Sequence, residues 1–127
     1  MRITRDREQG TLKLDQGHYV QENLSKMNLS KEKAHPTHSP IDSYESLKLS
    51  SSKDERCDKL EYQSHNGTWM WPATMTRPDI AFCIGRLSSY VSDPSKEHMK
   101  ALKKLGRYLR SYPNLGIMFR RGGNSKL

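Results

Sequence analysis

Four prolines divide the C-terminal half of this chain and restrict it to short elements. Pro72, Pro78, Pro94 and Pro113 each lack the N–H that continues a helix, and each borders a segment with helical periodicity. Residues 58–71 read as a helix closed by Pro72. Pro78 can occupy a first helical turn, where its missing N–H costs nothing. Ile80, Ile84, Leu87 and Val91 then recur at helical spacing, which predicts a helix over 78–92. Asp93-Pro94 repeats the start signal, with Asp93 as N-cap and Pro94 at the first helical position. A basic helix over 94–111 follows and stops at Pro113, and Leu115 to Phe119 reads as a short strand. Upstream, Gln9-Gly10 is a turn between Ile3 and the pair Leu12 and Leu14, which predicts a two-stranded hairpin over 2–16. A helix over 17–28 then carries Tyr19, Val20, Leu24 and Met27 on one face. Residues 29–56 are rich in Ser, Lys, His and Pro, show no periodicity, and are expected to form a flexible connection.

Only 33% of the 127 residues are hydrophobic and the mean hydropathy is −0.92, so the core is expected to be thin. Charge is placed unevenly. Residues 1–55 carry nine Lys and Arg against nine Asp and Glu. Residues 94–127 carry nine basic side chains against Glu97 alone, which equals the net charge of +8 for the whole chain. That asymmetry points to a polyanionic partner. No apolar run suggests a signal peptide or a membrane span. Cys57 and Cys83 are too few and too distant for a zinc set, and an intracellular compartment, cytoplasmic or nuclear, is expected. His35 and His38 have the spacing of a metal pair but no third ligand nearby. Neither a phosphate loop nor a hydrolase nucleophile elbow occurs.

Two patterns suggest a binding surface. Lys96, Lys100, Lys103, Arg107 and Arg110 are spaced by four, three, four and three, which forms one stripe of the basic helix. His98, Ala101, Leu105, Tyr108 and Tyr112 form a second, mostly apolar stripe. One side can therefore pack while the other meets phosphate, giving affinity without sequence preference. The competing explanation is an ordinary solvated face. In the segment Tyr62 to Trp71, Gln63, Gly67 and Trp71 share a helical face at i, i+4 and i+8. Filling of the core by Trp69 and Trp71 is the plain alternative there. Arg77 and Asp79 bracket Pro78. A carboxylate in a first turn favours the helix dipole, and Arg77 is expected to pair with it or with a neighbouring helix.

The word order from Thr76 to Phe119, with TRPDIAF, then a Pro before a Glu-His pair, then RYL and LGI, resembles copia-type LTR-retrotransposon Pol polyproteins. The likeness lies in the part that follows the reverse-transcriptase catalytic core. Met1 to Gln16 resembles the hairpin that closes the polymerase palm, and His18-Tyr19-Val20 with Leu24 the helix after it. Thr37 to Ile41 loosely resembles a short Thr-Pro signature. Tyr62 to Trp71 occupies the place of a family segment reading roughly Tyr-Arg-x-x-Val-Gly-Ser-Leu-x-Tyr-Leu. This chain departs from that pattern at Gln63, His65, Asn66, Trp69 and Pro72, and polar residues at apolar positions cost stability unless paired.

The resemblance implies an α+β fold: an N-terminal β-hairpin, a mainly helical thumb-like unit and a short C-terminal strand, with a disordered middle. It divides the chain into the end of a palm (1–28), a flexible linker (29–56), a thumb- or connection-like helical region (57–112), and a strand with a basic tail (113–127). It implies RNA-directed DNA polymerase activity for the parent polyprotein, which would need Mg2+. It assigns this chain no catalytic or metal-binding residue and no cofactor, because the family's paired aspartates are absent and two-metal chemistry needs clustered carboxylates. The expected partners are an RNA–DNA hybrid or duplex and the rest of a Pol polyprotein, with no membrane. In that reading Gln63, Gly67 and Trp71 track a minor groove, with Lys96, Lys100, Lys103, Arg107 and Arg110 on phosphate, and the hairpin residues Arg2, Arg5, Arg7 and Lys13 near the primer backbone. The alternatives are a transposon relic without function and a small basic protein that binds RNA nonspecifically.

Overall fold

A computed structural model of the chain describes residues 1–27, 29 and 47–122. Two strands, β1 (Arg2–Asp6) and β2 (Thr11–Asp15), form the expected hairpin. Then come α1 (Gly17–Lys26), α2 (Lys59–Met75), α3 (Pro78–Ser88) and α4 (Lys96–Ser111), and last β3 (Gly116–Arg120). The α+β class is as the sequence implied. Pairing adds what the sequence did not suggest: β3 runs antiparallel along the open edge of β2, with Leu12 opposite Phe119 and Leu14 opposite Ile117, so the hairpin and the last strand are one sheet. Close approach at Gly116 permits this, since a Cβ there would lie 2.0 Å from the Leu14 carbonyl oxygen. The sheet packs little against the helices.

The helices surround one apolar core. Val20 and Leu24 of α1, Tyr62 and Trp69 of α2, Ile80, Ile84 and Leu87 of α3, and Leu102, Leu105 and Leu109 of α4 are all buried. The single core agrees with the helical spacing of those residues. Among the described residues no helix is long and apolar enough to cross a membrane.

Besides α1, which ends at Lys26 rather than 28, three helix boundaries differ from the sequence reading. First, α2 passes through Pro72 to Met75. Pro72 cannot donate to the Thr68 carbonyl, four residues back, and that oxygen instead accepts the Tyr19 hydroxyl at 2.9 Å. Second, α3 ends at Ser88 rather than near 92. The Ser88 hydroxyl donates to the Ile84 carbonyl, and the Leu87 carbonyl accepts the Tyr62 hydroxyl at 2.5 Å. Third, the N-cap of α4 is Ser95, and neither Asp93 nor Pro94 starts the helix. Ser95 Oγ accepts the His98 N–H while His98 Nδ1 accepts the Ser95 N–H, a reciprocal capping box with histidine in the usual glutamate place. The Asp93 carboxylate is held by Arg56 at 2.7 and 3.1 Å, so it cannot cap.

Most of the connection expected over 29–56, including His35, His38 and the Thr37 to Ile41 segment, lies outside the described residues. Its described end is tied to the helices. His98 Nε2, 2.8 Å from the Lys48 carbonyl, is the protonated ring nitrogen, because Nδ1 is already an acceptor. Its ring stacks on Tyr90 at 3.8 Å, and Tyr90 donates to the Leu47 carbonyl.

Candidate nucleic-acid interface

The word TRPD builds the joint that sets the helices. Thr76 Oγ1 donates to Gln16 Oε1 at 2.6 Å, linking the end of α2 to the hairpin–α1 junction. Arg77, 1% exposed, makes a two-pronged pair with Asp79 at 3.1 and 2.9 Å. Its third prong donates to the Tyr112 carbonyl at 2.6 Å, placing a cation at the C-terminal end of α4, where the helix dipole favours one. The Tyr108 hydroxyl donates to Asp79 at 2.6 Å, and its ring lies 5.8 Å from the Arg77 guanidinium carbon. Burial works against the Asp79 carboxylate, but bonds from Arg77 and Tyr108 outweigh it and hold its pKa below the ordinary value. Burial, then the Asp79 bond, pushes the Tyr108 phenol up to about 12. The expected structural role of Arg77 and Asp79 is what the geometry shows.

On this joint α4 turns His98, Leu102, Leu105 and Leu109 inward. The stripe of Lys96, Lys100, Lys103, Arg107 and Arg110 lies on the opposite side of the helix. Its members differ. Lys96 Nζ pairs with Glu55 at 2.6 Å, and Arg110 donates to the Leu29 carbonyl at 3.0 Å. Lys100 is exposed, and Lys103 and Arg107 are half-buried. Lys96, Lys100 and Lys103 line an open cleft of about 470 Å³ with Cys57, Asp58 and Glu61. Sequence spacing gave no sign of these acids, because they reach the stripe from another element.

Gln63, Gly67 and Trp71 are exposed together along α2, as their spacing predicted. A Cβ at Gly67 would meet nothing within 4 Å, so the fold does not need glycine there. Trp71, 43% exposed, meets Tyr19 edge-on at 4.8 Å. Gln63 Nε2 donates to the Val91 carbonyl at 2.9 Å, a contact that closes the turn after α3. Trp69 is fully buried, which meets the core-filling alternative for that residue alone. Each set lies along one side of its own helix. Glu61 and His65 are the α2 side chains near Lys103. Burial lowers the His65 imidazole's pKa, with Glu61 raising it and Lys103 lowering it. Of the hairpin residues, Arg2 is paired with Asp15 at 3.0 Å. Burial raises the Asp15 pKa, but the Gly17 N–H and Arg2 outweigh it and keep the group below its ordinary value.

Among the described residues no three His, Cys, Asp or Glu side chains stand close enough to hold a metal ion.

The chain is 34% identical over 116 residues to the retrovirus-related Pol polyprotein from transposon RE1 of Arabidopsis thaliana, covering 91% of this chain. It is 35% identical over 117 residues to the corresponding polyprotein from transposon TNT 1-94 of Nicotiana tabacum, covering 87% of this chain. In each case it spans 8% of the curated relative's length. It is also 44% identical over 68 residues, 54% of this chain, to the secreted RxLR effector protein 161 of Plasmopara viticola, spanning 48% of that protein. No family model and no solved structure matches.

Proposed function

We propose that this chain, homologous to a segment of the retrovirus-related Pol polyproteins of transposons, is the duplex-gripping part of a copia-type reverse transcriptase. It grips through α4. Polymerisation chemistry would belong to other segments of a Pol polyprotein, whose carboxylates would hold Mg2+. The observation that carries the reading is the side of α4 turned away from the core, where Lys100, Lys103 and Arg107 stand together on a helix fixed at one end by Ser95 and His98 and at the other by Arg77. Such an array follows a phosphate backbone without reading sequence. Gly67 and Trp71, beside a Gln63 whose amide is held on the Val91 carbonyl, form a second contact suited to a groove: Gly67 has open space above it and Trp71 is 43% exposed.

The test is a triple variant, Lys100→Ala, Lys103→Ala and Arg107→Ala, titrated against an RNA–DNA hybrid across a salt series. Losing three phosphate contacts should flatten the slope of log affinity against log salt by about 2.7. An unchanged slope would remove α4 from the interface.

A second reading, a transposon relic with no selected function, draws on the core. Buried Asn66 Oδ1 and Trp69 Nε1 lack hydrogen-bond partners. Both residues stand where the resembled segment carries apolar ones. Stop codons or frameshifts in the flanking DNA would favour this reading, and an in-frame Asp-Asp hairpin upstream would exclude it.

A further inference from the structure

We infer that the end of the sheet is a cleft for an unpaired polynucleotide strand, with phosphates on arginines and one base stacked on Phe119. Its lining shares no residue with the α4 stripe, and it does not depend on that stripe. At the open end of the sheet, the β1–β2 turn and the end of β3 enclose a cleft of about 590 Å³. Arg5, Arg7, Arg120 and Arg121 line it. Among the described residues that line it the one carboxylate is Asp6, and that group is engaged within the turn, accepting the Glu8 and Gln9 N–H groups at 3.1 Å each. Arg5 shares the face of Leu12 and Phe119, Arg7 and Arg121 lie at the turn, and Arg120 lies in the Asp6–Thr11 row on the other face; together they make the cleft strongly positive, and each guanidinium can hold a phosphate by two parallel bonds.

The backbone builds this arrangement. Gly10 has φ +66°, and its carbonyl accepts the Arg121 N–H at 2.7 Å. A Cβ at Gly10 would lie 3.0 Å from Arg121 Cβ and 3.1 Å from its Nε, so the missing side chain makes room for this arginine across the turn. Only the β2–β3 pairing brings Arg120 and Arg121 to the hairpin tip, which is why the sequence did not reveal the cluster.

The ligand class follows from Phe119. Strand pairing sets Arg5, Leu12 and Phe119 side by side in one row, on one face of the sheet. Phe119 is 54% exposed in that row. A duplex keeps its bases stacked on each other and would offer this phenyl ring only sugar and phosphate. An unpaired strand can lay a base on the ring while its phosphates reach the neighbouring arginines.

Fluorescence anisotropy of the full chain with labelled oligouridylate tests this. The double variant Arg5→Ala, Arg121→Ala should weaken binding about tenfold or more and flatten the salt slope by about 1.4, the single-strand value for two phosphates. Phe119→Ala should weaken binding at least about fivefold with the salt slope unchanged, and Phe119→Trp should restore it. These side chains are exposed, so thermal melting should not move. No oligouridylate binding by the unaltered chain would overturn the assignment. So would full affinity in either alanine variant.

Discussion

At the residue scale, Arg77 is the side chain on which most of the helical arrangement depends. It is buried, yet every prong has an acceptor. Replacing it with Met would leave Asp79 without its cation and the Tyr112 carbonyl without a donor. Urea unfolding should then show a loss of about 3 kcal/mol, and Arg77→Lys should rescue little, because an ammonium cannot span both partners. The same joint sets a pH dependence. The Asp79 pKa is lowered by folding, so its contribution is present above the unfolded value and is lost as pH falls through the folded one. The Tyr108 pKa is raised to about 12, so its contribution is present below about pH 10 and is lost as pH rises towards 12. The urea midpoint should therefore drop between about pH 10 and 12. Tyr108→Phe should shrink that drop without abolishing it, since burial also raises the Tyr62 phenol. Asn66 is the opposite kind of residue, a buried amide with one oxygen unbonded. Asn66→Val should raise stability by about 1 kcal/mol in the same assay, and a loss would show that the bond its Nδ2 donates to Ser88 Oγ outweighs the unbonded oxygen.

At the element scale, the prolines located the helices but not their ends. Pro72 failed as a stop because Tyr19, a residue of another helix, bonds the carbonyl that the proline leaves open. Two adjacent start signals, Asp93-Pro94 and Ser95, could not be ranked by local rules. The choice was made by Arg56, which binds Asp93 from 37 residues away. The β3 pairing was illegible for a similar reason: nothing in Leu115 to Phe119 says which edge it will meet. What was legible is periodic. The stripe on α4 and the face of Gln63, Gly67 and Trp71 both lie where spacing put them. The acids beside the stripe and the arginine cleft are products of tertiary contact and carry no local sign. Gly67 gives an element-scale prediction that separates folding from binding. Gly67→Ala has open space for its methyl group and should stabilise α2 by up to about 1 kcal/mol in thermal or urea unfolding. Gly67→Leu should fold equally well and weaken hybrid binding if α2 approaches a groove, whereas unchanged binding would leave the glycine without a role.

At the scale of the whole molecule, charge and core are divided along the chain. The first 55 residues balance their charges, and the excess of +8 falls after residue 94, most of it on α4 and at Arg120 and Arg121. The helices share one core, while the sheet stands apart with most of β1 and β3 exposed. Two basic surfaces on one small body suit a nucleic acid that is paired along part of its length and unpaired along another, and the α4 surface is the one on which the proposed function rests. The most direct measurement is anisotropy of the unaltered chain against an RNA–DNA hybrid over a salt series. Log affinity should fall linearly with log salt, with a slope of about −2.7 or steeper, as three phosphate contacts on α4 require. Absent binding, or affinity that does not respond to salt, would contradict the proposed function.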